Sequence, residues 1–124
     1  ANILVMDDDE MVVDILSEIL TSMTHTVDSA IDGQTAIKKY INAIEYGNPF
    51  DIVIMDLTIP GGFGGEQVIK ELLDINPEVK AIVTSGYATS SVMSDPQKYG
   101  FVGYLIKPFS VECIKELISK IIAL

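Results

Sequence analysis

The chain has 124 residues, 48% of them hydrophobic, with a mean hydropathy of +0.36 and a formal net charge of −10. That length makes one domain with one sizeable core, and the acidic balance argues against direct binding to nucleic acid, whose backbone selects basic surfaces. No apolar stretch approaches the roughly 20 residues of a membrane span, and the single Cys113 has no partner for an internal disulfide, in agreement with a reducing compartment.

The first apolar run, Ile3-Leu4-Val5-Met6, reads as a strand and ends in Asp7-Asp8-Asp9. It follows Ala1-Asn2 directly and leaves no room for a signal peptide, so a cytoplasmic chain is expected, and the absence of an initiating Met points to a fragment. Met11, Val12, Ile15, Leu16, Ile19 and Leu20 then recur at helical spacing, which predicts an amphipathic helix from Glu10 to about Met23 capped by Asp9. His25 falls in the short connector that follows, and Thr26 to Ala30 forms a short second strand. Asp32-Gly33 is a turn, Gln34 to Tyr46 a helix with Ala36, Ile37, Tyr40, Ile41 and Ile44 inward, and Gly47-Asn48-Pro49 its stop.

Ile52-Val53-Ile54-Met55 is the third strand; it closes on Asp56 and opens the turn Leu57-Thr58-Ile59-Pro60-Gly61-Gly62. Gly64-Gly65 precedes a third helix carrying Val68, Ile69, Leu72, Leu73 and Ile75 and ending at Asn76-Pro77. Lys80-Ala81-Ile82-Val83 is the fourth strand and ends in Thr84-Ser85-Gly86. The stretch from Tyr87 to Tyr99 is the least legible, because Pro96 is compatible only with the first turn of a short helix. Val102 to Ile106 is the fifth strand, followed by Lys107-Pro108 and a last helix capped by Ser110, with Val111, Ile114, Leu117, Ile118, Ile121 and Ile122 inward and Cys113 packed beside them. Tyr104 reads as a core aromatic.

Five strand–helix repeats imply a doubly wound parallel α/β sheet with right-handed crossovers, one domain over residues 1–124. Among such folds the flavodoxin-like strand order 2-1-3-4-5 sets strands one and three side by side at the switch point, where ligands bind beyond the carboxyl ends of the strands. Those two strands are the ones that end in aspartate. Two unit charges about 4 Å apart at an effective dielectric of about 20 repel by about 4 kcal/mol, so a cation is the natural compensation. Oxygen ligands alone suit Mg²⁺, whereas Zn²⁺ would call for His or Cys. The glycines after Pro60 match neither the Walker pattern nor Gly-x-Gly-x-x-Gly, so nucleotide binding finds little support.

From end to end the chain resembles the receiver domain of two-component response regulators. The resemblance rests on the acidic run after strand one, on Asp56 followed by Pro60 and Gly64, on Thr84 after strand four, and on Lys107-Pro108-Phe109 after strand five. It implies that Asp56 is the phosphoacceptor, taking a phosphoryl group from a histidine kinase or a histidine phosphotransfer domain. It implies that Asp8, Asp56 and the backbone carbonyl of Thr58 bind Mg²⁺ while Asp7 acts through water. Asp9 leaves open which two acids pair, and Asp7 with Asp8 is the preferred reading. Lys107 would hold the phosphoryl oxygens, Thr84 would bond to them, and Tyr104 would change rotamer as Thr84 moves.

The resemblance also implies a cis Lys107–Pro108 peptide, self-modifying chemistry rather than turnover of a separate substrate, and a possible homodimer through the last helices. The Pro60 turn is most like those of receivers attached to hybrid sensor histidine kinases. Two rivals remain. A haloacid-dehalogenase-type phosphatase needs a second Asp two positions after the first, where this chain has Thr58. A degenerate receiver acting as a phosphorylation-independent binding module usually lacks the acceptor, the acids or the lysine, and all are present here.

Overall fold

Ile3 to Met6, Ile52 to Asp56 and Ala81 to Ser85 are buried at every position, as expected of parallel strands covered on both faces. In this computed structural model, which describes residues 1–59, 64–86 and 91–124, they are the cores of β1 (Asn2–Met6), β3 (Ile52–Asp56) and β4 (Ala81–Ser85). β2 (Thr26–Ala30) and β5 (Gly103–Ile106) complete a five-stranded sheet of order β2-β1-β3-β4-β5. Every neighbouring pair is parallel. The flavodoxin-like order inferred from the repeats is therefore the observed one.

The helices are α1 (Glu10–Ser22), α2 (Gly33–Glu45), α3 (Gly65–Ile75), α4 (Ser91–Ser94) and α5 (Val111–Ile122). Successive strand residues point to opposite faces, so the sheet divides the core in two. Leu4, Met6, Val53, Met55 and Val83 pack with Ala36 and Tyr40 of α2 and Val68, Ile69 and Leu72 of α3. Ile3, Val5, Ile52, Ile54 and Ile82 pack with Leu16 and Leu20 of α1 and Ile114, Ile118 and Ile121 of α5.

Local chemistry sets the ends of these helices. Asp9 caps α1 by accepting from Met11 N, Asp32 caps α2 through Thr35 N, and Ser110 caps α5 through Cys113 N. Pro96 opens a 3-10 turn, Pro96–Tyr99, which Gly100 closes at φ 99. Pro60 to Phe63 and Tyr87 to Ser90, which include most of the glycine-rich turn and the start of the least legible segment, lie outside the described residues.

Several inward assignments need correction. Met11 is 72% exposed, and Ile15, Ile41, Ile44, Ile75, Val111 and Ile122 are exposed as well. The stripe of each helix that meets the sheet is narrower than its apolar stripe. Cys113 is also exposed rather than packed, lying off the face through which Ile114 enters the core. Tyr104 is 49% exposed rather than a core aromatic. β5 is an edge strand in which Leu105 alone is buried, and alternation turns Tyr104 away from the face that Leu105 packs.

Candidate functional site

β1 and β3 run side by side, with Met6 beside Met55, so the residues following them emerge together at the carboxyl edge of the sheet. Asp7, Asp8 and Asp56 each bring a carboxylate oxygen to within 4.8 Å of the others. Asp7 and Asp56 are buried and Asp8 is exposed. Asp9 is not in the cluster; its Oδ1 accepts from Met11 N at 3.0 Å. The geometry thus pairs Asp7 and Asp8 with Asp56 and leaves Asp9 to the helix.

Lys107 reaches this cluster from the end of β5. Its Nζ lies 2.9 Å from Asp7 Oδ2 and 3.5 Å from Asp56 Oδ2. The Lys107–Pro108 peptide is cis, and Lys107 N donates to Ser85 O at 2.9 Å. The other oxygen of Asp7 accepts from Asp9 N at 3.0 Å, so both of its oxygens are engaged. Thr84 is the register partner of Asp56 across β3 and β4, and its carbonyl accepts from Leu57 N at 2.9 Å. Thr58 N donates to Asp56 Oδ1 over a long 3.4 Å. Tyr104 pairs in register with Val83, and Thr84 with Leu105.

The electrostatics follow from crowding. Burial, then the charge of Asp7, raise the Asp56 pKa, and Lys107 and the Thr58 amide offset only part of this. Burial alone would lower the Lys107 pKa, but the hydrogen bond to Asp7 and the charges of Asp56 and Asp7 outweigh it and hold the ammonium above its usual range. Three acids share one lysine, so net negative charge remains at the rim. An all-oxygen donor set with one side open, at Asp8, fits a hard divalent cation that keeps several waters. It does not fit Zn²⁺: His25 lies before β2, at the opposite edge of the sheet, against the Ala1 amino group at 3.0 Å.

Sequence reasoning missed the pairing of Lys107 with Asp7, residues 100 apart in the chain, because nothing local encodes it. It also missed Gln67, whose Oε1 accepts from Gly64 N at 3.1 Å; a Gln three residues after the cap position was the available signal.

An acid cluster and a lysine at the switch point of a 2-1-3-4-5 parallel sheet define a doubly wound α/β protein with an acidic rim that could hold a cation. The sequence profile of the response regulator receiver domain matches residues 3–119, and the chain belongs to that family. It is 31% identical over 120 residues to the chemotaxis protein CheY of Thermotoga maritima, covering 96% of this chain and 95% of that one. It is 30% identical over 124 residues to the sensor kinase CckA of Brucella abortus, covering 97% of this chain but 13% of the kinase. Among solved structures, CheY in the CheX–CheY–BeF₃–Mg²⁺ complex of Borrelia burgdorferi superposes with a TM-score of 0.87 at 26% identity, covering 98% of this chain and 88% of that one. CheY4 of Vibrio cholerae superposes with a TM-score of 0.86 at 22% identity, covering 98% of both chains.

Proposed function

We propose that the chain is a phosphorylation-dependent switch of a two-component phosphorelay, with Asp56 as the phosphoacceptor. The observation that carries this reading is the convergence of Asp7, Asp8, Asp56 and Lys107 at one sheet edge. The donor is a phosphohistidine on a histidine kinase or a histidine phosphotransfer domain. A carboxylate oxygen of Asp56 attacks phosphorus, the P–N bond breaks, and the imidazole leaves, producing an acyl phosphate.

Lys107 moves from Asp7 toward the incoming phosphoryl oxygens, and the Thr84 hydroxyl donates to one of them. Asp8, Asp56 and the Thr58 carbonyl would hold Mg²⁺, with Asp7 acting through water, and the ion would supply positive charge to the transferring oxygens. Thr84 and Tyr104 then convert added charge at the rim into an altered surface on β5. The chain catalyses only its own phosphorylation and dephosphorylation. The same reading puts the chain in the cytoplasm, with its kinase or phosphotransfer partner; among the described residues no helix is long and apolar enough to cross a membrane. It also includes self-association through α5, where Val111 and Ile122 are exposed.

Incubation with acetyl phosphate and Mg²⁺, followed by intact mass measurement, tests the assignment. One added phosphoryl group is expected, absent in Asp56→Asn. Labelling that persists in the variant, or none in the wild type, overturns it.

A further inference from the structure

Gly64 and Gly65, at the start of α3, lie against the backbone that follows Asp56. A Cβ on Gly64 would collide with the Leu57 carbonyl oxygen and stand 3.5 Å from Thr58 Cα. A Cβ on Gly65 would stand 3.0 Å from Asp56 O and 3.3 Å from Met55 Cγ. Space, not backbone conformation, demands glycine here: Gly64 has an ordinary φ of −86. Gly65 N donates to Leu57 O at 3.2 Å, and Leu57 N donates to Thr84 O at 2.9 Å. The Leu57–Thr58 backbone is therefore gripped between β4 and the first turn of α3.

Gln67 closes that grip. Its Oε1 accepts from Gly64 N at 3.1 Å, the half of a capping box in which the third helical residue satisfies the amide before the helix. Gly64 has no side chain to return the bond, so the entry to α3 depends on Gln67 for its side-chain cap. The Gln67 Oε1 is thus engaged by the backbone at the entry to α3.

We infer that Gln67 is a positioning residue for the cation site, seating Gly64 and Gly65 against Leu57 and thereby fixing the Thr58 backbone. This rests on the Mg²⁺ reading above. Thr58 contributes to the site twice, through the N–H that meets Asp56 Oδ1 and through the carbonyl proposed as a ligand. Outer-shell partners of this kind govern metal affinity without binding the ion.

The test compares wild type, Gln67→Met, which keeps the length of the side chain but not its acceptor, and Gln67→Glu, which keeps the acceptor. Mg²⁺ is titrated calorimetrically at raised salt, so that the carboxylate introduced by Gln67→Glu is screened, and exchange of the Gly65 amide is followed by NMR. Gln67→Met should bind Mg²⁺ about tenfold more weakly, with faster Gly65 exchange, and Gln67→Glu should retain wild-type affinity and protection. A lowered melting temperature in Gln67→Met with unchanged Mg²⁺ affinity would reduce Gln67 to a helix cap and overturn the inference, as would equal weakening in both variants. Absence of binding by wild type would instead remove the cation reading itself, and the inference with it.

Discussion

Lys107 is joined to Asp7 more closely than to Asp56, at 2.9 Å against 3.5 Å. Asp7 is only 2% exposed, and removing one member of a buried pair strands the other. Lys107→Met should therefore destabilise the metal-free chain at neutral pH. The loss should be about 2 kcal/mol, short of the roughly 3–5 kcal/mol of a fully buried pair, because a quarter of the lysine side chain meets solvent. Mg²⁺ should recover more stability in this variant than in wild type, since the ion takes over the missing charge. Chemical denaturation with and without Mg²⁺ reads both effects; equal Mg²⁺ stabilisation in the two proteins would contradict the account.

Asp56→Asn should stabilise the metal-free chain at neutral pH. The folded-state pKa of Asp56 is raised, so the folded chain holds this proton more tightly than the unfolded one. The associated stability is full below the ordinary pKa of 3.8 and is lost as pH rises through the folded value. Asparagine lacks that loss. Melts in EDTA from acid to neutral pH should show Asp56→Asn gaining on wild type as pH rises, by about 4 °C for each kcal/mol. A gap that does not change with pH would refute this.

Asp8 and Asp9, though adjacent, should fail differently. Asp8→Ala should weaken Mg²⁺ binding by more than about tenfold, the scale already reached by outer-shell changes. Asp9→Ala should cost about 1 kcal/mol of stability through loss of the α1 cap and leave Mg²⁺ affinity nearly intact. Calorimetric titration alongside denaturant melts separates the two, and the reverse order of Mg²⁺ losses would reassign the acid pair.

The strand ends were legible from sequence because β1, β3 and β4 are unbroken apolar runs that each deliver a polar residue to the same edge. Asp7, Asp8, Asp56 and Thr84 were found that way, and Lys107 by its place between the fifth strand and Pro108. Periodicity named the helices but not how much of each apolar stripe the sheet covers, so Met11 and Ile15 were expected inside and stand outside. Tyr104 was misjudged for a related reason: it was expected in the core, but β5 is an edge strand that buries only the face carrying Leu105. The Lys107–Asp7 pair and the seat of Leu57 against Gly64 and Gly65 depend on backbones that meet only after folding, and no local pattern records such meetings.

The lifetime of the acyl phosphate should lengthen when Gly86 is enlarged. Among the described residues a Cβ at Gly86 would meet nothing within 4 Å, and a side chain there would stand two residues beyond Thr84, where in the phosphorelay reading it would obstruct the approach of the hydrolytic water. Thr58 supplies neither a charge nor an amide in its side chain to orient that water strongly, so wild type should decay at an intermediate rate. Timing phosphate loss from wild type, Gly86→Tyr and Thr58→Asn checks this. Equal decay in all three would place control of water access elsewhere.

The sheet that separates the two apolar clusters also insulates one history of substitution from another. A side chain that changes size on α1 or α5 presses on Ile3, Val5 or Ile82, and one that changes on α2 or α3 presses on Leu4, Met6 or Val83. Residues that share no partners contribute to stability nearly additively. The helices on either side can therefore drift, or be redesigned for a new partner, as two separate problems, while the rim at Asp56, set by the ends of the strands between them, stays common property of both.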